Sequence, residues 1–335
     1  MRFHPVESAH PRRRCADTVG TMSTDNPSDS EASVETTTPS TRVALVTGGS
    51  RGVGQGVARA LADAGWHVYV TGRSAERLAA TIEGREHSIF PLEVDHSDDA
   101  RVEAAFDEIR TRSGRLDLLV NNVWTNPKGF MGFGSTFWER PVDDWDSLIG
   151  IGLRAHYVAS VEAAKIMVPQ GSGQIVHISS FGSRAPFHTV LYGMSKTALD
   201  KMAADMAHDL RETGVRCNSL WLGLIRTELL LSFGMEEFNG FPLDRAEDPE
   251  FVGRVIAALA EDPDIRSGDT IITAEYGRGH GIVNNDGAQP ISHRGAFGGG
   301  PLFPPVTDAQ LGLDTADEVA EHTGKSGAAE NVAGH

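Results

Sequence analysis

Cysteine and lysine are scarce in this chain of 335 residues, and acidic residues outnumber basic ones by 46 to 30. The two cysteines, Cys15 and Cys217, form no CxxC or zinc-finger spacing, which predicts a reducing, cytoplasmic compartment and argues against a disulfide framework. No apolar run approaches the ~18 residues of a membrane-spanning helix, so no transmembrane segment is expected. The net charge of −16 argues against nucleic acid as a partner. His156, His177 and His188 have no metal-ligand spacing, and no metal site is expected.

The two ends of the chain differ in composition from its middle. Residues 1–40 are rich in Ser, Thr, Asp, Glu and Pro, which predicts a disordered tail. Residues 296–335 become Gly/Pro-rich and then acidic, which predicts a second, flexible tail. Met22 is an alternative start, in which case residues 1–21 would be a translation artefact. One folded domain is expected over residues 41–295.

Short apolar runs alternate with helical periodicity through this domain. Strands are expected at residues 43–47, 67–71, 89–94, 116–120, 174–178, 216–220 and 270–273. Helices are expected at residues 52–64, 75–83, 99–112, 143–168, 191–211 and 249–260. Apolar strands separated by helices indicate a parallel sheet covered on both faces. The sequence therefore predicts a single α/β domain with a doubly wound parallel sheet of about seven strands, which binds its ligand at the carboxyl ends of the strands.

A glycine-rich segment, TGGSRGVG at residues 47–54, directly follows the first predicted strand. Glycine lets the backbone turn tightly and approach a pyrophosphate, and the helix that follows offers free N–H groups. Such a segment by itself is often only a turn. Its place between a first strand and a helix favours a nucleotide site.

Tyr192 and Lys196 are four residues apart in a predicted helix, so they share one face. A nearby ammonium favours the phenolate, which predicts a Tyr192 pKa below its usual value of ~10. A solvated helix lysine is the ordinary alternative. A serine pair, Ser179 and Ser180, ends a strand shortly before the tyrosine, and Ser180 is preferred because it stands at the end of the strand and faces the site.

These motifs occur in the order typical of the short-chain dehydrogenase/reductase family, which the sequence resembles from about residue 41 to 293. The resemblance rests on Gly48, Gly52, Gly54, Asp95, Asn121, Asn122, Ser180, Tyr192, Lys196, Gly223 and Thr227. It is greater for the branch called dehydrogenase/reductase family member 1, through LDLLVNN ending at residue 122, GLRAHY at 152–157, SLWLG at 219–223 and TELL at 227–230. The family implies a Rossmann-type domain, an oxidoreductase, and a homo-oligomer built through its two long helices.

The resemblance implies a role for each catalytic residue. Tyr192 passes a proton to or from the substrate oxygen while a hydride moves to or from the nicotinamide. Lys196 holds the nicotinamide ribose and lowers the pKa of the tyrosine. Ser180 hydrogen-bonds the substrate oxygen and stabilises its developing charge.

The resemblance also implies which residues bind the dinucleotide. They are Gly48, Ser50, Arg51, Gly52, Val53, Gly54, Arg73, Asp95, Asn121, Tyr192, Lys196 and Thr227. Asp95 is expected to meet the adenine, Asn121 to support the fold near the adenine ribose, and Thr227 to contact the pyrophosphate or nicotinamide end.

The second predicted strand indicates which dinucleotide is bound. An NAD-selective enzyme usually ends this strand with an acidic residue, which binds the ribose 2′-hydroxyl. Here Gly72 occupies that place and Arg73 follows, while Arg51 reaches the same pocket from the glycine-rich segment. Two guanidinium groups around one phosphate favour NADP.

Some positions depart from the family pattern. The asparagine that usually completes the catalytic group falls at Gly152, which offers only its backbone to a proton relay. The usual Asn-Asn-Ala-Gly ends in Val123 and Trp124. The side chains of Trp124, Phe130, Phe133 and Phe137 could line a pocket for an apolar substrate, or the loop could fold these aromatic side chains inward against one another. His188 could line the same pocket or lie exposed.

The sequence as a whole predicts an NADP-dependent carbonyl reductase or alcohol dehydrogenase that acts on a fairly apolar ketone, aldehyde or secondary alcohol. One alternative is an NADP-binding sensor or scaffold with little turnover because of Gly152. Another is a sugar-nucleotide epimerase, which shares the Tyr-x-x-x-Lys spacing. Those enzymes favour a differently spaced glycine loop and a larger C-terminal substrate domain, and the sequence has neither.

Overall fold

A sheet of seven parallel strands organises this computed structural model, which describes residues 41–125, 136–186, 188–238 and 240–298. The strands are β1 (Val43–Val46), β2 (His67–Gly72), β3 (Ile89–Glu93), β4 (Leu118–Asn121), β5 (Gly173–Ser180), β6 (Val215–Leu222) and β9 (Thr270–Ile272). Two short strands, β7 (Glu237–Phe238) and β8 (Phe241–Pro242), form a separate antiparallel pair. The sheet order is β3-β2-β1-β4-β5-β6-β9. The chain adds β2 and β3 on one side of β1 and all later strands on the other side, and the change of side between β1 and β4 opens a crevice at the carboxyl edge.

Helices cover both faces of this sheet. They are α1 (Gly52–Asp63), α2 (Ala75–Ile82), α3 (Asp99–Ser113), α4 (Ala155–Gln170), α5 (Val190–Asp209), α6 (Glu228–Leu231), α7 (Pro249–Glu261), α8 (Thr273–Gly279) and α9 (Arg294–Phe297). One apolar core joins α1, α2 and α7 to the sheet, and a second joins α3, α4 and α5 to the opposite face. The predicted α/β fold of about seven strands is thereby confirmed.

Residues 143–168 are expected to form one long helix, but the structure has two helices of different type in this region. Residues Asp146–Arg154 form a π-helix, and α4 continues it to Gln170. The π-helix contains Gly150 and Gly152, whose low helix propensity weakens regular α-helical hydrogen bonding. The sequence pattern missed this change because apolar residues recur through both segments.

Glycines set the distance between α1 and α7. A Cβ on Gly56 would lie 2.3 Å from Pro249 Cβ, and a Cβ on Gly253 would lie 2.6 Å from Ala60 Cβ. The two helices therefore pack through backbone contact, which holds α1 close to the sheet edge that carries the glycine-rich segment.

The expected tails are residues 1–40 and 296–335, and all of them except residues 296–298 lie outside the described part of the chain. The expected domain end at residue 295 lies within the short helix α9. Across the described residues, no helix combines the length and apolarity needed to cross a bilayer.

Candidate active site

The glycine-rich segment turns directly from β1 into α1. Gly48 and Gly52 have φ angles of 67° and 53°, which favour glycine because a Cβ is strained in that region. A Cβ on Gly54 would lie 2.4 Å from the Gly48 carbonyl oxygen. Helix α1 begins at Gly52 and no side chain caps its first turn. The first-turn N–H groups and the positive end of the helix dipole therefore favour an anion here.

Asn122 holds this turn in place. Its side-chain amide donates to the carbonyls of Thr47 and Gly48 at 3.0 and 3.2 Å, and its backbone N–H donates to Thr47 Oγ1 at 2.9 Å. The Gly48 N–H donates to Thr71 Oγ1 at 3.1 Å, which ties the turn to β2. The glycine-rich turn is thus held in place by Thr71 of β2 and by Asn122, which directly follows β4.

Asn121, the neighbouring residue, points away from this turn. Its side chain is fully buried, and its amide donates to Ser160 Oγ at 2.9 Å on α4. The same amide lies 3.4 Å from His177 Nδ1 on β5. This placement fits the expectation that Asn121 supports the fold near the adenine ribose, and its part in dinucleotide binding stays a prediction. Asn122, which the sequence reasoning left without a role, is the residue that contacts the glycine turn.

The predicted adenine end lies at the carboxyl ends of β2 and β3. Arg73 is exposed directly after β2, and Arg51 is exposed at the start of α1. A Cβ on Gly72 would lie 2.8 Å from Ser50 Cβ, so this position has no room for the acidic side chain of an NAD-selective enzyme. Hydrogen bonds from the Ser97 backbone N–H and hydroxyl hold the pKa of the Asp95 carboxyl below its usual range.

Across the crevice, the segment after β6 approaches the start of α1. Thr227 Cγ2 lies 3.5 Å from the Cβ position of Gly52, so Thr227 stands beside the first turn of α1, while its contact with the pyrophosphate or nicotinamide end stays a prediction. Val53 packs partly buried against the core, which anchors that turn. Thr227 also caps α6 by accepting from the Leu230 N–H at 3.3 Å.

Ser180, Tyr192 and Lys196 meet where β5 ends and α5 begins. Tyr192 Oη lies 2.9 Å from Ser180 Oγ, and Lys196 Nζ donates to the Ile178 carbonyl oxygen at 3.0 Å. The Lys196 ammonium is 5.6 Å from the centre of the Tyr192 ring. Ser180 faces the tyrosine, whereas Ser179 turns to the α5 side, where its hydroxyl donates to the Lys196 carbonyl at 3.2 Å. The structure thus brings the three predicted catalytic residues together.

The pKa of Tyr192 differs in direction from the sequence expectation. Burial raises the pKa of the Tyr192 phenol to about 12, and the hydrogen bond with Ser180 only partly opposes this. Burial also lowers the pKa of the Lys196 ammonium to about 8. The expectation of a lowered Tyr192 pKa is wrong for this structure, because burial removes the phenol from water and the Ser180 hydrogen bond offsets only part of that effect. Tyr192 is accordingly a neutral phenol at neutral pH.

Aromatic groups enclose the Tyr192 ring. The indole of Trp124 meets it edge-on with ring centres 6.0 Å apart, and the ring of His188 lies 4.3 Å away. His188 is half-buried, and burial lowers its pKa to about 4. A Cβ on Gly182 would lie 2.5 Å from Tyr192 Cε1, so only glycine allows the ring to lie here.

The two departures from the family pattern are neighbours in space. Gly152 lies in the π-helix, and a Cβ there would be 3.1 Å from Trp124 Cδ1. The Trp124 indole therefore occupies the space that a larger side chain at position 152 would need. Of the other expected aromatics, Phe137 is exposed and packs on Trp138, while Phe130 and Phe133 lie outside the described residues.

Glu247 is a buried acid at this edge that the sequence reasoning missed. Its Oε1 accepts from the Gly223 N–H at 2.9 Å and from the Thr273 hydroxyl at 2.6 Å. Burial raises the pKa of the Glu247 carboxyl to about 7. A Cβ on Gly223 would lie 2.8 Å from the same oxygen, so Glu247 fixes the path of the segment that leads to Thr227.

Comparison with known proteins identifies the family of this chain. The family model described as short chain dehydrogenase matches residues 42–237. Dehydrogenase/reductase SDR family member 1 of Mus musculus and that of Homo sapiens are each 39% identical to this chain over 262 residues, which cover 73% of this chain and 84% of the relative. This confirms the expected branch.

Solved structures of related fold include bound dinucleotides. The structure titled ElxO with NADP bound is 26% identical, with a TM-score of 0.63, over 70% of this chain and 97% of that one. A metagenomic short-chain oxidoreductase in complex with NADP is 27% identical, with a TM-score of 0.57, over 69% and 96% of the two chains. With the match to the family model over more than half of its length, this chain belongs to the short-chain dehydrogenase/reductase family.

Proposed function

We propose that this protein is an NADP-dependent carbonyl reductase or alcohol dehydrogenase in which Tyr192 is the general acid and base. The observation that carries the proposal is the 2.9 Å contact between Tyr192 Oη and Ser180 Oγ beside the Lys196 ammonium. A substrate carbonyl oxygen placed between the two hydroxyls would accept a hydrogen bond from each.

The protonation states favour the reductive direction. With a pKa raised to about 12, Tyr192 carries its proton at neutral pH and can donate it to a carbonyl oxygen as that oxygen gains negative charge. Bound NADPH would supply the hydride to the carbonyl carbon. Lys196, with a pKa of about 8, is mostly cationic at pH 7 and favours the phenolate that the transfer leaves behind.

The residues at the carboxyl edge fit NADP. The uncapped first turn of α1 suits the pyrophosphate, and Thr227 stands beside it. Arg73 is exposed directly after β2, where the adenine ribose of a dinucleotide lies in this fold. Arg51 is exposed at the start of α1, next to Ser50, which lies beside Gly72. Structures of similar proteins with NADP bound support the same choice.

The surroundings of Tyr192 favour a flat, apolar substrate. Trp124 and His188 flank the phenol ring, and His188 is neutral at pH 7 because its pKa is lowered to about 4. Aromatic rings at these distances offer dispersion contacts rather than charge. Aryl and alkyl ketones or aldehydes are therefore the proposed substrate class.

Assays of NADPH-dependent reduction on a panel of carbonyl compounds test the proposal. Purified full-length protein with NADPH is expected to reduce aryl ketones or aldehydes, followed as loss of nicotinamide absorbance. Tight NADPH binding with no turnover on the panel would instead favour the sensor alternative. Interconversion of sugar nucleotides without net consumption of NADPH would favour the epimerase alternative, and either result would reject the proposed activity.

Restoring the usual asparagine at position 152 is expected to damage the site. Gly152→Asn should destabilise the protein by roughly 1–3 kcal/mol because overpacking displaces the Trp124 indole, and carbonyl reduction should fall with it. Gly150→Asn is the matched control, since a Cβ on Gly150 has no atom within 4 Å and lies in the same π-helix.

Thermal unfolding of Gly152→Asn, Trp124→Ala and the double variant measures the coupling. The double variant should be more stable than the sum of the two single changes predicts, because Trp124→Ala opens the space that the introduced asparagine side chain needs. If the stability changes of the two single variants simply added in the double variant, the Trp124 indole would not be the reason that position 152 needs a glycine.

Homo-oligomer formation and a cytoplasmic location remain part of the proposal. Exposed apolar side chains, among them Tyr157 on α4 and Met194 on α5, lie on the two long helices. An apolar face on these helices suits a second copy of the chain. Light scattering of the protein as it elutes from a sizing column measures its molecular mass in solution. A monomer at micromolar concentration would contradict the proposed homo-oligomer.

A further inference from the structure

Lys196 has an environment that opposes its charge. Its side chain is buried on α5, and Nζ donates to the Ile178 carbonyl oxygen. Burial lowers the pKa of the ammonium to about 8, and the charge of Asp200 works against this change. A buried ammonium with one carbonyl partner loses much of its hydration, so an opposite charge is needed to keep it protonated.

Asp200 is placed to supply that charge. It follows Lys196 by one helical turn, so both side chains lie on the same buried face of α5. Its Oδ2 accepts from Trp221 Nε1 at 2.9 Å, and only 1% of the residue is exposed. Burial raises the pKa of the Asp200 carboxyl, and the hydrogen bond from the Trp221 indole opposes this change. The indole N–H is a donor that favours the carboxylate.

Among the described residues, the other ionisable groups that surround Lys196 are neutral at pH 7. They are Tyr192 on α5, His188 in the preceding loop, His177 on β5 and His156 on α4. Burial raises the pKa of the tyrosine to about 12 and lowers those of His177 and His188 to about 3 and 4. Burial also holds the pKa of His156 well below its usual range. Asp200 is thus the neighbour whose charge can balance the ammonium.

We propose that Asp200 is the fixed counter-charge of Lys196, a positioning residue that keeps the catalytic ammonium protonated at neutral pH. The inference rests on the proposed function for the catalytic role of Lys196. The ionised carboxylate is held by Trp221, and it acts through the charge of Lys196 without touching substrate or dinucleotide. Loss of this charge would leave a neutral amine, which cannot favour the Tyr192 phenolate.

Titration of the lysines by NMR tests the inference without turnover. The chain has only five lysines, so ¹³Cε-labelled lysine gives few signals, and Lys196→Met identifies the one of interest. In Asp200→Asn, which keeps an oxygen acceptor for Trp221, the proton affinity of Lys196 should fall at least about tenfold, since a near opposite charge changes a pKa by about 1–3 units. Most of the lysine should then be neutral by about pH 8.

Asp205→Asn is the matched control. Lys201 and Asp205 form an exposed ion pair with the same spacing on the same helix. This substitution should leave the Lys196 titration unchanged, because a solvent-exposed charge is strongly screened.

Three outcomes decide the matter. An unchanged Lys196 titration in folded Asp200→Asn would overturn the inference, because it would mean that the carboxyl is already neutral. If Asp200→Asn does not fold, the carboxyl ¹³C signal of Asp200 in the wild-type protein decides, and an ionised group at pH 7 is expected. A neutral carboxyl there would overturn the inference as well.

Activity separates this inference from the proposed function. If the protein reduces carbonyls, the alkaline fall of its rate should begin about one pH unit lower in Asp200→Asn and stay in place in Asp205→Asn. If no carbonyl is reduced, the proposed function fails while the NMR titration still tests the pairing of Asp200 with Lys196.

Discussion

Tyr192→Phe is expected to reduce the rate of carbonyl reduction by ~10²–10⁴-fold, the usual contribution of general acid catalysis. The substitution removes only the hydroxyl that lies 2.9 Å from Ser180 Oγ and leaves the ring between Trp124 and His188. The measurements are kcat/KM for the reduction of a ketone and the affinity for NADPH from fluorescence titration. Affinity and melting temperature should change little because the packing of the ring is kept.

Tyr157→Phe is the matched control for this prediction. Tyr157 loses the same hydroxyl, but 55% of the residue is exposed on α4. Its turnover should equal that of the wild type. If Tyr192→Phe kept more than half of the wild-type rate, another group would have to be the proton donor.

Loss of both Arg51 and Arg73 is expected to reduce the preference for NADPH over NADH by roughly 10²–10⁴-fold. A hydrogen bond to a charged group contributes ~1.5–3 kcal/mol, and each ~1.4 kcal/mol is a factor of ten, so each arginine should contribute about ten- to hundredfold. Arg73 is exposed directly after β2 and Arg51 is exposed at the start of α1, and Gly72 leaves no room for a competing acid at the end of β2. The measurement is kcat/KM with each dinucleotide for Arg51→Ala, Arg73→Ala and the double variant.

Arg110→Ala controls for the loss of an exposed positive charge. Arg110 lies on α3 in an ion pair with Asp107, so its removal should leave the dinucleotide preference unchanged. A wild type that prefers NADH, or a preference that survives the double substitution, would contradict the assignment of these two arginines. Rising ionic strength should weaken the preference in the wild type, because the arginines are exposed and their charges are screened.

The amino-acid sequence determined the parts of this protein that depend on near neighbours in the chain. Apolar runs bounded by turn residues located the seven strands of the sheet within a few residues, because each buried strand must be apolar along its length. The turn at residues 47–54 was predictable because Gly48 and Gly52 adopt positive φ angles that few other residues tolerate. The spacing of Tyr192 and Lys196 predicted their meeting because a helix brings residues four apart together.

Only the tertiary structure decided what depends on contacts between distant segments. It directed Asn122 to the glycine turn and Asn121 into the interior, since the side chains of a strand alternate between its faces. It also brought Trp124 over Gly152, which converts two separate departures from the family pattern into one packing unit.

Charge states follow the same division. The sequence predicts an ammonium near Tyr192, but the pKa of the phenol is raised because several elements together bury it. Asp200 joins the site for the same reason. Its spacing from Lys196 is visible in the sequence, whereas its burial and its bond to Trp221 come from the packing of α5 against β6. Local geometry is encoded by short-range patterns, while solvation and long-range pairing exist only once the chain has folded.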